Sequence, residues 1–191
     1  MKNFYALLSR MKYIERWSLM RSTLKESILT HSADVAIYAQ ALAAIGNAVF
    51  GKNLDVGKAA SVALYHDVSE VITGDLASPV KYFNPEITAA YKKLEAAASN
   101  KLLSMLPEEL KPQYSDFFYP DESSYEYKLV KAADKLSAYI KCVEELASGN
   151  GEFSVAAETT KKMLDETDLP ELKYFLENFM DGYGKPLDLL K

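Results

Sequence analysis

The stretch LYHDVSEVITGDLASP, residues 64–79, sets His66 beside Asp67 on a segment whose Leu64, Tyr65, Val68, Val71 and Ile72 read as helix core. Glu70 and Asp75 follow at once. The whole chain has two histidines, and the other, His31, lies in ESILTHSADVAIYAQAL, on the same face as Val35, Tyr38 and Leu42 one to three turns on. A third segment, LVKAADKLSAYIKC, places Asp134 among Ala132, Ala133 and Leu136, where a carboxylate is costly unless something positive pairs with it. Lys131 and Lys135 are its neighbours in sequence but are expected on other sides of the helix.

Helical periodicity runs through the chain and β-branched alternation is absent. Helices are expected over about 3–12, 31–48, 55–72, 85–106, 122–148, 152–166 and 169–180, an all-α bundle of about seven. Asp55 suits an N-cap and Pro85 a first turn, while Gly149 suits a helix end. On the second helix Val35, Tyr38, Leu42, Ile45 and Val49 recur at spacings of three and four. The stretch after Tyr13 reads as irregular, LASPVKYFNP as a loop, and the tail 182–191 as loosely held.

The 191 residues carry a net charge of −5 and are 49% hydrophobic and 26% charged, values of a single globular domain, expected to span 1–191. Without clustered Lys and Arg, neither nucleic acid nor an anionic membrane is an expected partner. The one cysteine, Cys142, excludes an internal disulfide and reads as a buried thiol. MKNFYALLSRMKYIERW lacks a signal peptide's apolar centre, and no apolar run approaches the roughly 20 residues of a membrane span. A cytoplasmic location is expected.

Singly, a histidine on an apolar face reads as a hydrogen-bonded core residue, and an aspartate in a helix as a cap or a solvated group. Together, His31, His66, Asp67 and Asp134 come from three helices that would pack against each other. Two imidazoles and two carboxylates suit a borderline divalent ion such as Mn²⁺, Co²⁺, Fe²⁺, Ni²⁺ or Zn²⁺. Glu70, four residues after His66 and three after Asp67, can converge on the same end of its helix.

An isolated His, a His-Asp doublet about 35 residues later and a distant Asp resemble the signature of the HD-domain metal-dependent phosphohydrolases. RWSLMR, ESILTHSADVA, YHDVSEVITGDLASPVKYFN and VKAADKLSAYIKCVEELASGN extend the resemblance, in order, to the bacterial 5′-deoxynucleotidase branch. They fall within a motif core of about residues 10–150, ahead of the C-terminal helices at about 152–180.

The resemblance implies hydrolysis of deoxyribonucleoside 5′-monophosphates to deoxynucleosides and phosphate, with one divalent metal (Co, Mn, Fe, Ni, Zn or Mg) on His31, His66, Asp67 and Asp134. It implies catalytic roles for Glu70, Asp75 and Arg16. Glu70 would orient or deprotonate the attacking water, or stand just outside the ligand set; Asp75 would handle the proton going to the 5′-oxygen. Arg16 would orient the phosphate, and Trp17, which otherwise reads as a core residue, would line the sugar. Asp75, Leu76, Ala77 and Ser78 would grip the nucleoside, with His31, Asp67 and Asp134 also touching substrate. Relatives often have Pro-Thr where this chain has Ala77–Ser78, which bears on substrate preference and not on the reaction. The resemblance also implies a homodimer, for which KYFLENFMDGYG offers an interface.

Rival readings are pyrophosphohydrolysis of nucleoside triphosphates, cleavage of a cyclic nucleotide, and a metal- and nucleotide-binding sensor without turnover. The first two call for more cations than Arg16, Arg21 and Lys81; the third has no use for Glu70 and Asp75.

Overall fold

The computed structural model describes residues 3–190; Met1, Lys2 and Lys191, which belong to the expected span and tail, lie outside the described residues. In chain order the helices are α1 (Phe4–Leu8), α2 (Ile28–Phe50), α3 (Val56–Tyr65), α4 (Glu70–Thr73), α5 (Ser78–Lys81), α6 (Pro85–Ser104), α7 (Lys111–Phe118), α8 (Tyr125–Ala147), α9 (Ser154–Asp165) and α10 (Pro170–Phe179). Among the described residues there are short 3₁₀ turns besides, and a single isolated antiparallel bridge, Glu15 to Ser27, in place of any strand.

Helix α2 is the centre on which α3, α8 and α10 pack. Ser27 opens it, its hydroxyl accepting the Thr30 N–H, and Gly51 closes it at φ +65°, a conformation open to glycine at little cost. Its residues Ile28, His31, Val35, Ala39, Leu42 and Ile45 return every three or four positions and are all buried. Asp55 caps α3 through the Lys58 N–H, and Asn84 with Pro85 opens α6. Leu129, Val130, Ala133, Leu136 and Ile140 of α8 complete the main core with Leu164 and Phe175.

Several expectations need correction. The helix expected over 55–72 is interrupted: α3 stops at Tyr65, a chain of tight turns carries His66–Ser69, and α4 follows. Helix α2 begins at Ile28, not 31, because Ser27 supplies the cap. Val49 is 47% exposed and so leaves the buried face, although Tyr38 is packed edge-on to Phe175 and Tyr183. A single helical turn, α5, sits within LASPVKYFNP, and α7 fills a stretch with no assignment.

The 23-residue α2 is also long and apolar enough to cross a membrane by length and composition. His31, Asp34, Gln40 and Asn47 hide this from a search for consecutive apolar residues. Its apolar face is core, buried under α3, α8 and α10. The aromatic stretch KYFLENFMDGYG likewise goes largely into packing, with Phe175 buried and only Phe179 substantially exposed.

Leu42 is fully buried in this core. Leu42→Ala should lower the unfolding free energy by about 2–5 kcal/mol in a denaturant titration. Val49→Ala, on the exposed side of the same helix, should change it by no more than about 0.5 kcal/mol.

Candidate active site

The interruption after α3 is what builds the site. His66 Nδ1 lies 2.7 Å from the Ala63 carbonyl oxygen, which an uninterrupted helix would give to the Asp67 N–H. Backbone bonding switches to i→i+3, seen in His66 to Ala63, Val68 to Tyr65 and Glu70 to Asp67. Because a carbonyl only accepts, Nδ1 carries the hydrogen, and Nε2 is the nitrogen that could bind a cation on giving up its own proton. That Nε2 is buried and has no hydrogen-bond partner.

It faces Asp67 Oδ2 at 3.1 Å and Asp134 Oδ1 at 3.7 Å. His31 Nε2, from α2, faces the same two oxygens at 3.6 and 3.1 Å. The other His31 nitrogen is 3.2 Å from Ser137 Oγ on α8, which fixes the ring. The structure therefore brings His31, His66, Asp67 and Asp134 together from α2, the turn after α3, and α8. Atoms bound to one ion at about 2.0–2.2 Å stand about 3.0–3.5 Å apart, so these residues fit a divalent cation. The orphaned Nε2 of His66 is the direct sign of it.

Electrostatics agree. Burial disfavours the His66 imidazolium, but Asp67 and Asp134 outweigh burial and push it up to about 10. Burial likewise opposes ionisation of Asp67 and Asp134, yet the neighbouring imidazoles hold Asp67 down at about 2 and Asp134 well below the carboxylate range. Glu70 behaves oppositely: burial first, then the charges of Asp67 and Asp75, push it up to about 9. Its Oε2 is buried without a partner. Burial also raises Asp75, against the pull of Arg16.

Arg16 and Trp17 arrive on the loop between Tyr13 and Ile28, which doubles back through the Glu15–Ser27 bridge. Arg16 Nη1 lies 3.3 Å from Asp67 Oδ2, so the guanidinium meets a metal-ligand candidate directly. Trp17 is half-buried, edge-on to Phe153 at 5.3 Å, with its indole N–H donating to Glu26 Oε2 at 2.7 Å. Its φ is +59°, a conformation that costs a bulky residue about 1–3 kcal/mol. Asp75, Leu76 and Ala77 are half-buried and Ser78 exposed. Among the described residues no hydrogen bond or ion pair joins Leu76, Ala77 or Ser78 to the four candidate ligands.

Sequence reasoning missed three parts of the site. Ser137 could have been found, since it lies one turn beyond Asp134 on the same face. Lys131, expected on another side of α8, instead reaches Asp134 Oδ2 at 3.5 Å across that same i,i+3 spacing. Glu26 had no local signal, because its contacts depend on the loop folding back. The loop tip is tied to the end of α8 by buried Glu145, which accepts the N–H groups of Thr23 and Leu24 at 2.9 and 3.1 Å and pairs with Lys141 at 2.5 Å.

A helical bundle with a buried His/His-Asp/Asp cluster defines the class of HD-domain metal-binding proteins. The family described as YfbR-like 5′-deoxynucleotidase matches residues 3–183. A Vibrio parahaemolyticus relative named 5′-deoxynucleotidase VP0926 is 49% identical over 187 residues, covering 97% of this chain and 96% of its own. A solved HD-domain phosphohydrolase from Listeria innocua superposes with a TM-score of 0.83 at 24% identity, covering 95% of this chain and 88% of its own. The cyanophage S-2L HD phosphohydrolase DatZ, solved with dA and one catalytic Zn²⁺, superposes at 0.62 with 20% identity, covering 92% and 95%. These two structures carry the fold alone. The chain belongs to the YfbR-like 5′-deoxynucleotidase family.

Glu70 gives a pH test. In the unfolded chain it ionises near 4.5, whereas in the folded protein it keeps its proton up to about 9. Between those values the folded state binds the extra proton, so stability falls as pH rises through the window. Glu70→Gln removes that dependence. In chelator-treated protein the variant should melt above wild type at pH 8, and the two melting curves should converge below about pH 4.5.

Proposed function

We propose that this protein is a divalent-metal-dependent 5′-deoxynucleotidase, which hydrolyses deoxyribonucleoside 5′-monophosphates to deoxynucleosides and inorganic phosphate. One observation carries the reading: in a chain of the 5′-deoxynucleotidase family, ligand atoms of His31, His66 and Asp134 all lie within 4.8 Å of one another, and Asp67 Oδ2 stands 3.6 and 3.1 Å from the two imidazoles. His31, His66, Asp67 and Asp134 would hold a single ion. Their mixed nitrogen and oxygen donors favour Co²⁺, Mn²⁺, Fe²⁺, Ni²⁺ or Zn²⁺ over Mg²⁺. Bound there, the ion supplies a water of lowered pKa and neutralises phosphate charge.

The remaining work falls to side chains. Arg16 binds and orients the phosphate through its guanidinium. Glu70, which keeps its proton in the ion-free fold, would ionise beside a bound cation and then take a proton from the attacking water as the water oxygen bonds to phosphorus. The bond from phosphorus to the 5′-oxygen breaks, and Asp75, also raised by burial, returns a proton to that oxygen. Trp17 walls the sugar and disfavours a ribose 2′-hydroxyl, and the Asp75–Ser78 loop grips the nucleoside. His31, Asp67 and Asp134 lie against the phosphate as well as the ion.

The same reading makes the chain one catalytic domain, active in the cytoplasm as a homodimer and bound to neither nucleic acid nor membrane. Exposed Val80, Tyr82 and Phe83 beside the substrate loop support self-association, and buried Cys142, raised to about 11 by burial, supports a reducing compartment.

Nucleotides assayed with each divalent ion should release phosphate from deoxyribonucleoside monophosphates in preference to ribonucleotides. Equal release from both sugars, or pyrophosphate from triphosphates, would reject the assignment. Glu70→Gln should keep its metal by elemental analysis while kcat drops by about 10²-fold or more. His66→Ala should lose the metal.

A further inference from the structure

Glu26 stands outside the His–Asp pattern, yet its carboxylate touches both residues given substrate roles above. Oε2 accepts the Trp17 indole N–H at 2.7 Å and lies 3.4 Å from Arg16 Nε. The Glu26 backbone carbonyl accepts the Arg16 N–H at 2.9 Å. Oε1 lies 3.8 Å from His31 Nδ1, but Ser137 Oγ is closer to that nitrogen, at 3.2 Å, so His31 has a better anchor. The Glu26 side chain is 8% exposed, and a carboxylate that far out of water persists only where its partners compensate it.

Two further facts give the contact a purpose. Trp17 sits at a positive φ that a bulky residue avoids, and the hydrogen bond to Glu26 holds the ring in the orientation this backbone dictates. The Arg16 guanidinium lies between two carboxylates, with Nε toward Glu26 and Nη1 toward Asp67. The closest approach to each carboxylate is made by Nε or Nη1 and not by Nη2, the edge of the fork proposed to meet a phosphate oxygen.

We propose that Glu26 is a positioning residue that fixes Arg16 and Trp17 relative to each other, so that phosphate recognition and exclusion of the ribose 2′-hydroxyl share one buried anchor. It acts through those two side chains and does not touch substrate. The inference rests on the functional reading above, in which Arg16 meets the phosphate and Trp17 the sugar.

Trp17 is the only tryptophan in the chain, so indole emission reports on the surroundings of this one ring. The experiment uses the metal-loaded full chain and its Glu26→Gln and Glu26→Ala variants. It measures metal content, emission maximum, and KM and kcat for a deoxyribonucleoside monophosphate and its ribonucleotide. Glu26→Ala should keep its metal, shift the emission maximum, and raise KM for the deoxynucleotide about tenfold with a smaller change in kcat. Its deoxy-to-ribo ratio of kcat/KM should fall about fivefold or more. Glu26→Gln, which keeps an acceptor for the indole but loses the charge facing Arg16, should retain emission and ratio while KM rises equally for both nucleotides.

Wild-type emission, KM and ratio in Glu26→Ala would overturn the proposal, as would loss of metal from Glu26→Gln with unchanged emission. If the alanine variant fails to fold, the glutamine variant decides: a parallel rise in KM supports the role and an unchanged KM rejects it. If wild type shows no preference for deoxyribose, the substrate reading fails separately, and the emission and KM responses still decide whether Glu26 positions the pair.

Discussion

Carboxylates crowded together away from water need positive charge, and that requirement organises this molecule. Asp67 and Asp134 aim oxygens at the same two imidazoles, with Glu70 and Glu26 buried nearby. Like charges crowded out of water repel one another strongly, because the interior screens them less than water does. The arrangement is tolerable because His31, His66, Arg16 and a divalent ion can share the balancing. Glu70 shows the same pressure from the other side, since it meets the crowding by keeping its proton.

Helix α8 gives that arrangement its rigidity. It supplies Asp134 to the ligand cluster and Ser137 to hold His31. Seven and eleven residues on, about 10 and 16 Å along the helix axis, Lys141 and Glu145 grip the tip of the loop that carries Arg16 and Trp17. One helix therefore sets the register between the His–Asp cluster and the loop that carries Arg16 and Trp17. Buried Glu145 is an expensive way to tie a loop unless every lone pair is used, and Thr23, Leu24, Asn150 and Lys141 together use them.

Strain is confined to the loop and the turn that border the His–Asp cluster. Trp17 is the one non-glycine residue at positive φ among the described residues, and the helix break at His66–Ser69 aims the His-Asp doublet inward. An uninterrupted helix would have kept the backbone ladder regular but separated His66 and Asp67 by the usual 100° of rotation. The tight turns instead let both reach the same cluster. Local regularity gives way where the chemistry needs two adjacent side chains to converge.

Most helices were legible from residue order because apolar spacing, caps such as Asp55 and breakers such as Gly149 act over a few residues. The meeting of His31, His66–Asp67 and Asp134 was legible too, since imidazoles and carboxylates on apolar faces need one another or a shared cation for balance. The break after Tyr65 was not, because it follows from His66 taking the Ala63 carbonyl, a competition that periodicity does not record. Glu26, Lys141 and Glu145 escaped for a different reason: their partners lie across a folded-back loop, from 9 to more than 100 residues away. Sequence alone determined which residues could bind a metal and where helices would form. Only the tertiary structure decided how Arg16 and Trp17 are placed beside the His–Asp cluster, because the loop's path is set by hydrogen bonds to α8 that exist once both are in place.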